Sequence, residues 1–242
     1  MENTDLIYGL HAVTEALNGD LVNKLYVQED LRGKNVEKIK ELARLKKVNI
    51  SWTPKTELNK LTENGVHQGF MARVSEFAYA DLEKILPALA EKSDATILIL
   101  DELTYPHNLG SIARTADATG VDAIIIPKHR AVGITSTAVK ASTGALQHVP
   151  IVRVTNLSQT LDKLKAANFW VFGTDMDGTV YSKWNTKGKV ALIIGNEGHG
   201  IGQNLKKQVD EMITIPMTGH VQSLNASVAA SILMYEIFRN RL

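Results

Sequence analysis

Residues 95–127, ATILILDELTYPHNLGSIARTADATGVDAIIIP, decide the fold. A six-residue run (95–100), apolar except for Thr96 and half of it β-branched, leads into a polar loop. A segment with helical spacing follows (110–120), and then a second apolar run (122–127). Short runs of this kind fit strands buried on both faces of a sheet. The pattern recurs, with strands expected at 148–154, 169–174, 189–195 and 211–216, and helices at 157–169, 201–210 and from about 225 onward. Strand and helix in alternation imply an α/β fold, a parallel sheet with helices on both sides.

In such sheets ligands gather at the carboxyl ends of the strands. Three loops leave those ends: 101–116 (DELTYPHNLGSIARTA), 195–202 (GNEGHGIG) and 217–225 (MTGHVQSLN). Each is richer in Gly, Asn, Ser or Glu than a connection needs, so one composite site built from all three is expected. Ahead of this region the periodicity predicts a smaller α/β unit, with helices at 10–18 and 36–47 and strands at 23–28, 48–52 and 69–74. Residues 78–94 read as a polar connector interrupted by Pro87. The division is 1–76, a linker over 77–93, and 94–242.

Totals exclude several classes of function. The 242 residues are 44% hydrophobic and 22% charged with a formal net charge of +1, which gives no global sign of nucleic acid or membrane. That neutrality hides a local bias: residues 32–60 hold nine Lys/Arg against three Asp/Glu, either a solvated helix face or a patch for phosphate backbone. No apolar run approaches the roughly 18 residues of a membrane span. The acidic start lacks the layout of a secretory signal, so a cytoplasmic protein is expected. The chain has no cysteine, hence no disulfide, thiolate metal site or cysteine nucleophile. The seven histidines show no metal-binding spacing, and no metal is expected. GHGIG matches a dinucleotide fingerprint poorly, because its last glycine position is Gln203, and no phosphate-binding GxxxxGK[ST] occurs.

Three stretches, 106–120 (PHNLGSIARTADATG), 194–202 (IGNEGHGIG) and 215–230 (IPMTGHVQSLNASVAA), resemble in order and spacing the three motifs of SpoU/TrmH-type RNA ribose 2′-O-methyltransferases of the SPOUT superfamily. Residues 7–17 (IYGLHAVTEAL) and 67–72 (HQGFMA) resemble that family's substrate-binding domain, which is similar to ribosomal protein L30e. Nearly the whole chain is covered. The likeness is strongest to the branch that methylates guanosine in 23S rRNA, since the tRNA-specific members lack the N-terminal domain. The resemblance implies a SPOUT domain with a deep trefoil knot, S-adenosylmethionine (AdoMet) bound within it, and a homodimer. Composition and periodicity alone favour an unknotted sheet.

The resemblance also implies roles. Arg114 matches the motif arginine thought to activate the ribose hydroxyl; its high pKa makes a phosphate clamp the better chemistry, and an ordinary surface arginine is the bland alternative. Asn108, Glu197, Ser223 and Asn225 match motif positions of the active site; Asn108 reads equally well as a helix cap, and caps are the alternative for Ser223 and Asn225, which the surplus polarity of their loop sets in the site. Gly195, Ile215 and Leu224 carry over as AdoMet contacts, with Thr174 a weaker fourth. His107, His199 and His220 fall where the family pattern varies. Lys128 and Arg130 read as phosphate contacts or as solvated surface. Competing readings are a methyltransferase for tRNA or another rRNA position, and a non-catalytic RNA-binding or ribosome-assembly protein on the same fold.

Overall fold

The computed structural model describes residues 6–18, 21–74, 77–220 and 223–242. The acidic residues 1–5, the end of the first expected domain at 75–76, and Val221 and Gln222 of the third loop lie outside the described residues. The chain forms two compact units that divide between Ala78 and Tyr79.

The first unit runs β1 (Leu6–Tyr8), α1 (Leu10–Asn18), β2 (Val22–Gln28), α2 (Lys34–Leu45), β3 (Ile50–Thr53), α3 (Lys55–Leu61) and β4 (Phe70–Val74). Its sheet has the order β1-β4-β2-β3, with only β2 and β3 parallel. Successive strand residues point to opposite faces, and the burial follows. Leu25, Val27, Phe70 and Ala72 pack with Val13 and Leu17 of α1 and Val36, Ile39 and Ala43 of α2. Tyr26 and Met71 turn the other way onto Leu58 of α3.

The second unit adds α4 (Leu82–Ala90), β5 (Ala95–Leu100), α5 (Pro106–Ala118), β6 (Ala123–Pro127), α6 (Ser136–Ser142) and β7 (Ile151–Val154). There follow α7 (Leu157–Ala166), β8 (Trp170–Val180), β9 (Lys189–Ile194), α8 (Gln203–Lys206), β10 (Glu211–Thr214) and α9 (Ala226–Arg239). The six strands pair in parallel in the order β10-β8-β9-β5-β6-β7. Every residue of β5 is buried, as expected of a central parallel strand. Ile97, Ile99, Ala191 and Ile193 face Leu89 of α4 and Leu161 and Leu164 of α7. By the two-residue period Leu98, Leu100 and Leu192 face the opposite side, where α5 and α9 pack together and α9 reaches β9.

Several elements differ from the sequence expectation. From Tyr79 onward the expected linker belongs to the second unit. Leu82, Ile85, Leu86 and Leu89 form an i, i+3, i+4, i+7 stripe, and α4 lays it on the sheet despite Pro87. Helix α5 starts at Pro106 rather than at 110, with the proline at its first turn where a missing N–H costs nothing. The helix expected over 201–210 shrinks to the single turn of α8, because Ile201 and Leu205 are drawn into the core on either side of Gly202. Strand β8 extends six residues beyond 174, through DMDGTV, a mainly polar stretch without a regular apolar alternation.

Candidate active site

The exit loop of β9 is closed on itself. Asn196 and Gly200 exchange backbone hydrogen bonds of 3.1 and 2.9 Å, and Asn196 Oδ1 accepts the Gly198 N–H at 2.8 Å. A side chain at Gly195 would put its Cβ about on the Gly200 carbonyl group and 2.5 Å from Ile201 N, so only glycine fits there. Two bonds tie this loop to the exit of β5. Asn196 Nδ2 donates to the Glu102 carbonyl at 3.0 Å, and the Gly202 N–H donates to Asp101 Oδ2 at 2.8 Å. Asp101 is buried, and burial holds its carboxyl above the usual carboxylate range; the Gly202 N–H opposes this, Glu102 adds to it, and His199 opposes it.

From the start of α9 a directed series of hydrogen bonds crosses all three loops. Asn225 caps α9, its Oδ1 accepting the Ser227 N–H at 3.0 Å. That fixes the amide, so its Nδ2 donates, to Asn108 Oδ1 at 3.1 Å. Asn108 in turn presents Nδ2 to Glu197 Oε1. Each amide has one orientation that satisfies both neighbours. The series ends at Glu197 Oε2, a buried oxygen with no partner among the described residues. A second tie between the two helices lies further along, where Thr115 Oγ1 and Ser231 Oγ are 2.9 Å apart.

Beside Glu197 a pocket of about 630 Å³ opens between the exits of β8, β9 and β10, Met217, Ser223 and the first turns of α9. Thr174, Gly195, Ile215 and Leu224 all line it, as do Glu197 and Ser223. Thr174 Oγ1 is engaged with the Ile193 carbonyl at 3.3 Å, which leaves its backbone and methyl to the pocket. Ile213, Ile215, Met217 and Leu224 supply apolar walls for a planar ring. Two further lining residues escaped the sequence reading: Lys206 Nζ donates to Asp175 Oδ2 at 2.5 Å. This bond is the main cause holding the Asp175 carboxyl below its usual range. Their signal was faint, a charged pair 31 residues apart whose only hint was the neighbouring Thr174.

The structure therefore brings Asn108, Glu197 and Asn225 into one bonded set, of which Glu197 lines the pocket together with Ser223. Asn108 is not the cap of its helix. It is the third residue of α5, buried, and turned to Glu197. Arg114 is not part of this set. It lies six residues further along α5, about 9 Å by helical rise, on the exposed face, and its side chain makes no hydrogen bond or ion pair with the described residues.

The pocket suits AdoMet. Its volume falls within the range of about 300–1,000 Å³ typical of small-molecule sites, and it has apolar walls for an adenine. The Lys206–Asp175 pair offers each charge to a ligand that carries both a carboxylate and an ammonium. Among the described residues no cluster of three or more His, Asp or Glu is placed to hold a metal ion, and no helix is long and apolar enough to cross a membrane.

Comparison with known proteins gives the same picture. Residues 95–235 match the model of the SpoU rRNA Methylase family, and residues 6–80 match that of RNA 2′-O ribose methyltransferase substrate binding. A protein of Staphylococcus aureus strain MSSA476, assigned to the TrmH family of tRNA/rRNA methyltransferases, is 48% identical over 244 residues, covering 100% of this chain and 98% of the relative. Among solved structures, the SpoU methyltransferase AviRb of Streptomyces viridochromogenes in complex with AdoMet aligns at a TM-score of 0.67 with 28% identity, over 98% of this chain and 90% of that one. An AdoMet-bound rRNA methyltransferase from Sinorhizobium meliloti aligns at 0.66 with 26% identity, over 98% and 87%.

Proposed function

This chain belongs to the SpoU rRNA methylase family, and from that premise we propose that it transfers the methyl group of AdoMet to the 2′-hydroxyl of a guanosine in 23S rRNA. It is an AdoMet-dependent RNA methyltransferase; the ribose, the guanosine and the 23S rRNA are our reading. The observation that carries it is Glu197, which lines the pocket and whose buried Oε2 has no partner among the described residues.

Bound AdoMet supplies an electrophilic methyl on a sulfonium leaving group. The work left to the chain is to place a hydroxyl in line and to receive its proton. Asn108 holds Glu197 Oε1 and Oε2 has no partner among the described residues, so in this reading the carboxylate accepts a hydrogen bond, and then a proton, from the ribose 2′-hydroxyl. Asn225 and the first turn of α9 lock Asn108 in place and thereby fix the carboxylate. Ser223 stands at the pocket edge as a further hydrogen-bonding group for the ribose. Arg114, exposed and outside the bonded set, holds an RNA phosphate in this reading and orients the nucleotide without taking its proton. No covalent intermediate is required, which accords with a chain lacking cysteine.

The first unit serves as the RNA-binding module. Its family match supports this, as do nine Lys/Arg against three Asp/Glu over residues 32–60 and an exposed Trp52 with Lys40 Nζ 5.4 Å from its ring centroid. Our reading includes the C-terminal knot. After β10 at the sheet edge Ile215, Met217, Ser223 and Leu224 share the pocket with residues of the 195–202 loop, α9 packs on α5, and Arg241 donates to the carbonyls of Ala95, Thr186 and Gly188. It includes a homodimer as well, with a second copy completing the RNA site.

The direct test is methyl transfer from labelled AdoMet to unmodified 23S rRNA, with tRNA alongside and mass-spectrometric mapping of the product. One 2′-O-methylguanosine in 23S rRNA is the expected result. Label on tRNA alone overturns the substrate assignment, and absence of both label and AdoMet binding overturns the enzyme reading.

A further inference from the structure

A second cavity, of about 510 Å³, lies at the exits of β5 and β6, lined by Glu102, Thr104, Arg130, Val132, Asn196 and His199. Asn196 and His199 also line the AdoMet pocket, so the 196–199 loop is a wall common to both cavities. The walls are fastened to one another. The Val132 N–H donates to the Leu103 carbonyl at 2.8 Å, and Asn196 Nδ2 to that of Glu102 at 3.0 Å. Glu102 (φ 53°) and Arg130 (φ 59°) both hold left-handed backbone, which non-glycine residues adopt only where the surroundings impose it. Between them stands a small polar cluster: Glu102 Oε1 is 3.5 Å from Arg130 Nη1, and Glu102 Oε2 is 3.1 Å from His199 Nε2. Nothing in the methyl-donor pocket calls for this cluster.

A methyl acceptor has to lie against the donor methyl, so the target nucleotide must sit beside the AdoMet pocket. The cavity across the shared wall is such a place, and its chemistry fits a nucleotide. The Arg130 guanidinium, 83% exposed, is free to turn toward a phosphate. The Glu102 carboxylate offers acceptors alone. The Watson–Crick edge of guanine presents two adjacent donors, N1–H and the N2 amino group, which a carboxylate accepts together. Adenine has an acceptor at N1 and repels it.

Resting on the reading that the chain methylates RNA, we propose that this second cavity seats the target nucleotide, with Arg130 on its phosphate and Glu102 selecting guanine. In the absence of RNA, the Arg130 ion pair and the His199 hydrogen bond keep Glu102 in place.

The test uses the full-length enzyme with the 23S rRNA transcript bearing the mapped target, and with the same transcript carrying adenosine there. Arg130→Ala should raise KM for the RNA about tenfold and leave kcat within about twofold. Glu102→Gln should lower kcat/KM on the guanosine transcript about tenfold or more, and narrow the preference for guanosine over adenosine. Calorimetric titration should give both variants the wild-type affinity for AdoMet. Unchanged KM and unchanged base preference, with wild type active, overturn this inference alone. So does a loss of AdoMet affinity, which would assign the cavity walls to the donor pocket, or a mapped target other than guanosine. No transfer by wild type removes the functional reading and this inference together.

Discussion

Asn108 is the residue on which the three strand-exit loops converge. One amide donates to Glu197 on the β9 loop and accepts from Asn225 at the start of α9. Asn108→Ala leaves the part-buried Glu197 Oε1 without its partner, a loss of about 1–3 kcal/mol, while the amide of the exposed Asn225 can turn to water; the change is readable by urea unfolding. Transfer should fall about 100-fold, the lower range for a mispositioned acid–base group, while AdoMet affinity changes little. Asn108→Asp is the sharper probe. It keeps the shape, but its carboxylate cannot donate and faces Glu197 with like charge, so it should lose at least as much activity as the alanine variant. Wild-type turnover in Asn108→Asp would show that the bonded series has no part in the chemistry. The sequence marks Asn108, Glu197 and Asn225 by motif resemblance, yet it leaves Asn108 open as a helix cap. Only the placement of residue 197 beside it, 89 positions away, separates the two roles. Arg114 shows the converse. Its motif position is plain, and the fold sets it on the outer face of α5, away from the bonded set.

Helix α5 carries both the first motif and a packing constraint at the scale of elements. A Cβ at Gly110 would overlap the Ala138 carbonyl oxygen and come within 2.5 Å of Ala141 Cβ, so α6 lies directly on the backbone of α5. Gly110→Ala should destabilise the protein by about 1–3 kcal/mol through overpacking, seen as a lower unfolding midpoint. Because Asn108 sits half a turn away, turnover should drop as well. Unaltered stability would mean that α6 yields freely. The sequence conceals this contact. Residues 136–142, STAVKAS, lack a continuous apolar stripe, so α6 is not evident from periodicity, and the need for glycine at 110 cannot be foreseen without it. Elements with strong patterns were legible almost to the residue, as with α1, β5 and the start of α7. The polar second half of β8 was not, since its pairing with β10 is held by backbone bonds and a bulge between Met212 and Ile213. Nor was the shortening of α8, where buried Ile201 and Leu205 straddle a loop residue.

For the whole molecule, two units divide the labour in a way that net charge hides. The basic bias of residues 32–60 lies in the first unit, whereas the polar loops of the site belong to the second. The second unit gathers its site from loops more than 100 residues apart, and its last helix closes it. Arg241 ends the chain's path by donating to Thr96 Oγ1 at 2.7 Å and to the Gly188 carbonyl at 2.8 Å, at the opposite ends of β5 and β9 from the pocket. The central claim is that this closure leaves Glu197 as the acceptor for the ribose proton beside a preformed AdoMet pocket. Glu197→Gln tests it most directly, with AdoMet binding by calorimetry and single-turnover transfer to 23S rRNA measured on the same preparation. Glutamine can still accept from Asn108, so the expected result is AdoMet affinity within about threefold of wild type and a transfer rate at least about 100-fold lower. A wild-type transfer rate, or a loss of activity that merely follows a loss of AdoMet binding, would contradict it.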